Sequence, residues 1–171
     1  LKTVYLRLED WKELARLLPE LRKRQLGENG ELDRLERTAW HKLLQRAADE
    51  CRRQGNQDLS SLTRLWDELP GTMRRDEHTI RVYAELLASA GDEAQAETLL
   101  RKVLRNHWSD ELIHLYGRIC GGKPDEQLLA AERWLQDRPN NPDLLLALGR
   151  LSLRNELWGK AREYFETSLR L

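Results

Sequence analysis

The sequence is short of strand formers, of cysteine and of excess charge of either sign, and each shortage removes a class of protein. Val and Ile are scarce, aromatic residues are 6 % of the chain, and no useful run alternates with period two, so a β-sheet fold is not expected. Cys51 and Cys120 are the only cysteines. They cannot build a disulfide framework, and they show no zinc-ligand spacing. Lys and Arg number 29 against 29 Asp and Glu, which argues against a nucleic-acid partner, since such binders depend on excess cations. No apolar run approaches the roughly 18–20 residues that span a bilayer. With 40 % hydrophobic residues in 171, the chain is nevertheless long and apolar enough to bury a core and is no disordered tail. Leu1, Val4 and Leu8 open in mid-pattern, and Leu171 closes in mid-pattern. The chain therefore reads as a piece of a longer protein, and missing targeting segments say little about the parent.

Apolar residues recur at intervals of three and four, the spacing of an amphipathic helix. Breakers fall at Gly27 to Gly30, Gly55-Asn56, Pro70-Gly71, Gly91-Asp92, Gly121 to Pro124 and Pro139 to Pro142. Cutting there predicts helices over 1–8, 10–25, 31–54, 57–69, 76–90, 93–106, 109–120, 125–138, 142–155 and 158–171. Most connections are short, so successive helices should run antiparallel. Segment 31–54 is nearly twice the usual length. Asp92 with Gln95 three residues on approximates a capping box, and Asn141-Pro142 sets Pro at a first helical position. Pro19 removes one backbone hydrogen bond inside 10–25 and should kink it.

The helices recur as pairs. Ile80, Tyr83, Ala84 and Leu87 precede Gly91 and are followed by Ala96, Leu100 and Val103. Ile113, Tyr116, Gly117 and Cys120 are followed by Ala130, Ala131, Trp134 and Pro139. Leu145, Leu148, Gly149 and Ser152 are followed by Ala161, Phe165 and Ser168. Ala84, Gly117 and Gly149 stand 33 and 32 residues apart. This pattern resembles the tetratricopeptide repeat, in which small residues let the paired helices approach closely. The resemblance implies an all-α, right-handed superhelical solenoid of about five helix pairs, since one pair cannot bury its apolar face alone. Residues 1–75 would hold degenerate pairs including the long helix 31–54, residues 76–171 three better repeats, and the whole one continuous solenoid. Ala84, Ala96, Gly149 and Ala161 should lie buried at helix crossings.

Catalytic chemistry is not legible. His41, His78, His107 and His114 include no pair spaced to share a helix face, so neither metal ligands nor a cofactor are assigned. Cys120 falls where the repeat wants a core residue and is expected to be a buried, inert thiol. Gly121-Gly122-Lys123 lacks the earlier Gly and the Ser or Thr of a phosphate loop, and no strand precedes it. No Gly-x-Ser-x-Gly elbow is present. The protein is therefore read as a non-enzyme. Six tryptophans, Trp11, Trp40, Trp66, Trp108, Trp134 and Trp158, are expected mainly to seal junctions between pairs, with Trp158 and Trp108 the two whose exposure would point to a binding role.

In a tetratricopeptide array the first helix of each pair lines the concave groove where partners dock. Repeat phase puts His78, Arg81 and Glu85 there, then Glu111, His114 and Arg118, then Asp143, Leu146 and Arg150, with Arg154 one turn further. Guanidinium groups suit bidentate capture of a carboxylate. The competing reading pairs these arginines with Glu85, Glu111 and Asp143 across neighbouring helices. The partner-binding candidates are thus His78, Arg81, Glu85, His114, Arg118, Arg150 and Arg154.

A narrower likeness covers nearly the whole chain. Trp11, Leu17 to Lys23, Ala39-Trp40, Trp66 to Pro70, Ala131 to Leu135, Leu144 to Leu151 and Leu157 to Arg162 together resemble the carboxy-terminal repeat region of the HemY family. Its members are proteobacterial inner-membrane proteins associated with late haem synthesis. The strings Leu148-Gly149-Arg150-Leu151 and Leu157-Trp158-Gly159-Lys160-Ala161 carry most of the likeness. The resemblance implies a parent anchored in the bacterial inner membrane by segments absent here, with this domain on the cytoplasmic side. Stacked helix pairs, the lack of a catalytic constellation and the near-neutral charge point to a protein-interaction scaffold, whose partners the resemblance suggests are haem-pathway or membrane-assembly proteins. Direct porphyrin or haem binding stays open as the alternative. An uncovered face around Leu157, Tyr164 and Leu171 could also pair two copies of the fragment.

Overall fold

The computed structural model describes residues 10–24, 29–55 and 58–171, and these are helical with no strand among them. The helices are α1 Trp11–Lys23, α2 Asn29–Arg53, α3 Ser60–Glu68, α4 Glu77–Ser89, α5 Glu93–Asn106, α6 Asp110–Tyr116, α7 Pro124–Leu135, α8 Pro142–Arg154 and α9 Trp158–Arg170. A single 3-10 turn, Met73–Arg75, precedes α4. The helix expected over 1–8 lies outside the described residues. The chain divides into two compact units, residues 1–86 and 87–171.

In the first unit, α2 is 25 residues long because it serves two shorter helices. Its first half packs on α1: Leu14, Ala15 and Leu18 meet Leu32 and Ala39, with Trp11, Leu35 and Trp40 around them. Arg22 closes that contact, donating to Asp33 at 2.6 Å and to the buried Glu36 at 2.9 Å. The second half of α2 turns to α3, where the buried Cys51 donates its thiol to the Asp58 carbonyl at 3.0 Å. Pro19 sits inside α1 on its exposed side, and α1 continues past it to Lys23. Trp66 of α3 stacks flat on Tyr83 of α4, with ring centroids 4.1 Å apart.

In the second unit, α6 and α7 both pack on α8, and α8 packs on α9. The helix starts follow capping chemistry. Asp92 accepts from the Gln95 N–H, Ser109 from Leu112, and Asn141 from Leu144 beside Pro142. Two helix ends share one geometry. Gly91 has φ 92°, and the next N–H, of Asp92, returns to the Leu87 carbonyl. Glu156 has φ 59°, and the N–H of Leu157 returns to the Ser152 carbonyl. Both are left-handed caps, glycine in one and glutamate in the other.

The interior of this unit carries one polar network. Tyr116 donates its hydroxyl to the buried Glu97 at 2.7 Å, and Arg101 pairs with the same carboxylate. Burial, with the Glu97 carboxylate beside it, holds the Tyr116 phenol well above its ordinary range. Gln127 donates to the Tyr116 and Ile119 carbonyls and accepts from Gly121. It thereby satisfies backbone groups freed where α6 stops at Tyr116, short of the expected 120. This early stop corrects the expectation for Cys120. The residue lies in the connection after α6 and is exposed, with its N–H held by the Glu93 carboxylate. Ala84, Ala96, Gly149 and Ala161 are buried, as expected.

Candidate functional site

A concentration of positive charge in the second unit grows out of a contact between two small residues. A Cβ added to Gly117 would lie 2.6 Å from the Ala147 Cα, so only glycine lets the end of α6 come this close to α8. That approach fixes what surrounds it. Arg118 follows Gly117 directly, and Arg150 lies three residues beyond Ala147 on α8. Arg154 follows one turn later and donates to the Ile119 carbonyl at 2.5 Å and to the Arg118 carbonyl. Three guanidinium-bearing residues thus gather on one helix pair. A turn before this contact, on the same two helices, His114 faces Asp143 at 3.9 Å.

Among the described residues no carboxylate pairs with Arg118, Arg150 or Arg154. One terminal nitrogen of Arg150 is buried without a hydrogen-bond partner. Burial first, then the charges of Arg118 and Arg154, lowers the Arg150 guanidinium below its ordinary value. Arg118 is exposed.

The other three candidates belong to the first unit, on α4. There Arg81 lies 3.4 Å from both the Glu85 carboxylate and the His78 Nδ1, so it pairs with Glu85 within its own helix rather than across neighbouring helices. The His78 ring stands 5.1 Å from His41 on α2. His41 Nε2 lies 3.1 Å from the Thr79 hydroxyl, which itself donates to Asp76. His41 is therefore the donor in that contact. Burial, with His78 next in weight, lowers its pKa. The seven predicted residues thus form two groups of different character: a paired set at His78, Arg81 and Glu85, and a cation-rich set at Arg118, Arg150 and Arg154 beside His114.

Sequence phase named these residues but not their roles. Repeat phase nominated Arg154, whereas its bonds to two backbone carbonyls depend on where α6 stops. The His41–His78 contact joins helices far apart in sequence and had no local signal. Of the tryptophans, Trp108 packs edge-on against Trp134 and under the Arg138 guanidinium, 4.2 Å from its ring centre. Trp158 is 66 % exposed, alongside Leu157, Leu169 and Leu171 on or beside α9. No metal-holding group of His, Cys, Asp and Glu occurs among the described residues, and no described helix is long and apolar enough to cross a membrane. Compared with protein-family models and with curated proteins, the chain matches none.

Proposed function

We propose that this chain is a helical-repeat scaffold of tetratricopeptide type, which holds segments of partner proteins on the first helices of its pairs. The observation that supports this most is the direct packing of α6 on α8 through Gly117 and Ala147. In a stacked array, first helices lie side by side in this way, and side chains not used for packing are left for a partner. His114, Arg118, Asp143 and Arg150 are such side chains. The recurrence of one helix-ending geometry at Gly91 and Glu156, two repeat lengths apart, supports the same reading. The HemY-like strings in α8 and α9 extend it to a parent anchored in a bacterial inner membrane and linked to haem synthesis.

Site-specific photo-crosslinking tests the scaffold. Crosslinkers at His114 and Arg118 should capture discrete partners, while one at Glu163, exposed on α9, should not. Equal capture from all three positions contradicts docking on the first helices. A titration with protoporphyrin separates the alternative. Saturable stoichiometric binding with a Soret shift, lost on substitution at Arg118 or Arg150, would favour a porphyrin-binding protein over a scaffold.

A further inference from the structure

We propose that His41 and His78 form a proton-operated latch between α2 and α4, closed while both rings are neutral and released when both are protonated. The inference concerns the first unit and stands apart from the scaffold reading.

Two polar links join α2 to the start of α4, and both end on one carboxylate. Arg37 of α2 lies 3.3 Å from Asp76. His41, one turn further along α2, donates to the Thr79 hydroxyl, which in turn donates to Asp76 at 2.7 Å. Asp76 also accepts from the Thr79 N–H at 2.9 Å and so caps α4. The hold on α2 and the first turn of α4 are therefore one network, with Thr79 fully buried inside it.

The histidines are the members of this network that change charge between pH 5 and 8. Their ring centres are 5.1 Å apart. With both rings neutral, the charges at the joint balance in pairs, Arg37 with Asp76 and Arg81 with Glu85. Two imidazoliums would add two positive charges where these carboxylates are already engaged. Lys42 and Glu77, next in sequence to His41 and His78, are exposed, so solvent screens them. The bond from His41 to Thr79 survives protonation, because Nε2–H donates in either form; the conflict is between charges. At His78 the bonding changes as well. Its Nδ1 faces the Arg81 guanidinium at 3.4 Å and accepts from it when the ring is neutral. A proton on that nitrogen sets donor against donor. Burial, then the charges of His78 and Arg37 against that of Asp76, leaves the His41 pKa lowered, so the closed joint takes up this proton less readily than the open one. Acid therefore favours opening. Asp76 stays ionised, since the Thr79 hydrogen bonds and Arg37 outweigh its burial. The release is local. Ile80 is buried and Tyr83 stacks on Trp66, so the middle of α4 keeps its packing while its first turn comes free.

Hydrogen exchange of the whole chain at pH 7.5 and 5.5, corrected for the intrinsic rate and read by mass spectrometry, tests the latch. Protection over 76–82 should fall about tenfold between the two pH values, while α1 and α8 keep theirs. His41→Gln retains a donor for Thr79 but cannot take the charge, and His78→Gln alters an exposed side chain. Each should cut the fall to about twofold or less. His107→Gln, at an exposed histidine after α5, should leave it unchanged. Should His41→Gln already expose the start of α4 at pH 7.5, His78→Gln decides alone. An equal fall in the unaltered protein and in His78→Gln overturns the proposal, as does no fall in the unaltered protein. Loss of protection spread equally over α1 and α4 would mean general acid unfolding and overturns it too.

Discussion

Gly149 shows how much one side chain decides. A Cβ at this buried position of α8 would run into the Phe165 ring of α9. Gly149→Leu should therefore destabilise the protein by roughly 1–3 kcal/mol through overpacking, read as a lower denaturation midpoint. An unchanged midpoint would mean that α8 and α9 are not packed as described. His41 gives a second prediction at this scale. Its folded pKa is lowered, so below the ordinary histidine range the unfolded chain binds the proton more readily than the folded one. Its contribution to stability is complete above that range and declines as pH falls through it. Arg37 and His78 add positive charge nearby and Asp76 opposes them, and the carboxylate stays ionised throughout this window. Thermal melts from pH 7.5 to 5.5 should show a falling midpoint that is flatter in His41→Phe. Equal slopes in the two proteins would remove His41 as the cause.

Among the elements, the helix starts were easier to read from sequence than the ends. Asp92 with Gln95, and Asn141 with Pro142, are local chemistry, and both caps form as the sequence indicates. The end of α6 is not local. Tyr116 reaches Glu97, Gln127 reaches back to the Tyr116 and Ile119 carbonyls, and Arg154 arrives from α8 to hold the next turn. Tertiary bonds replace helical ones there, so a periodicity that runs on to Cys120 overshoots. The paired left-handed caps make a direct prediction. At Glu156 the φ of 59° strains a side chain that glycine would not carry. Glu156→Gly should stabilise by roughly 0.5–1 kcal/mol, and Gly91→Ala should destabilise by about 1 kcal/mol, both by equilibrium denaturation. Opposite signs at the two sites are required. If both variants destabilise, the caps are not equivalent.

Over the whole molecule, the all-helical class was legible from period and composition. Repeat phase nominated the seven candidate residues. What phase could not supply was their division into two groups, because Arg81 finds Glu85 on its own helix while Arg150 finds no carboxylate. The Arg81–Glu85 pair is an i, i+4 spacing already present in the sequence, whereas the surroundings of Arg150 depend on which residues α6 and the turn after it bring to α8. The most direct test is partner capture by the protein carrying Arg118→Glu together with Arg150→Glu, with circular dichroism confirming that the variant stays helical. Docking through these arginines predicts loss of the partners that the unaltered protein retains. Retention of every partner by the folded double variant would contradict it.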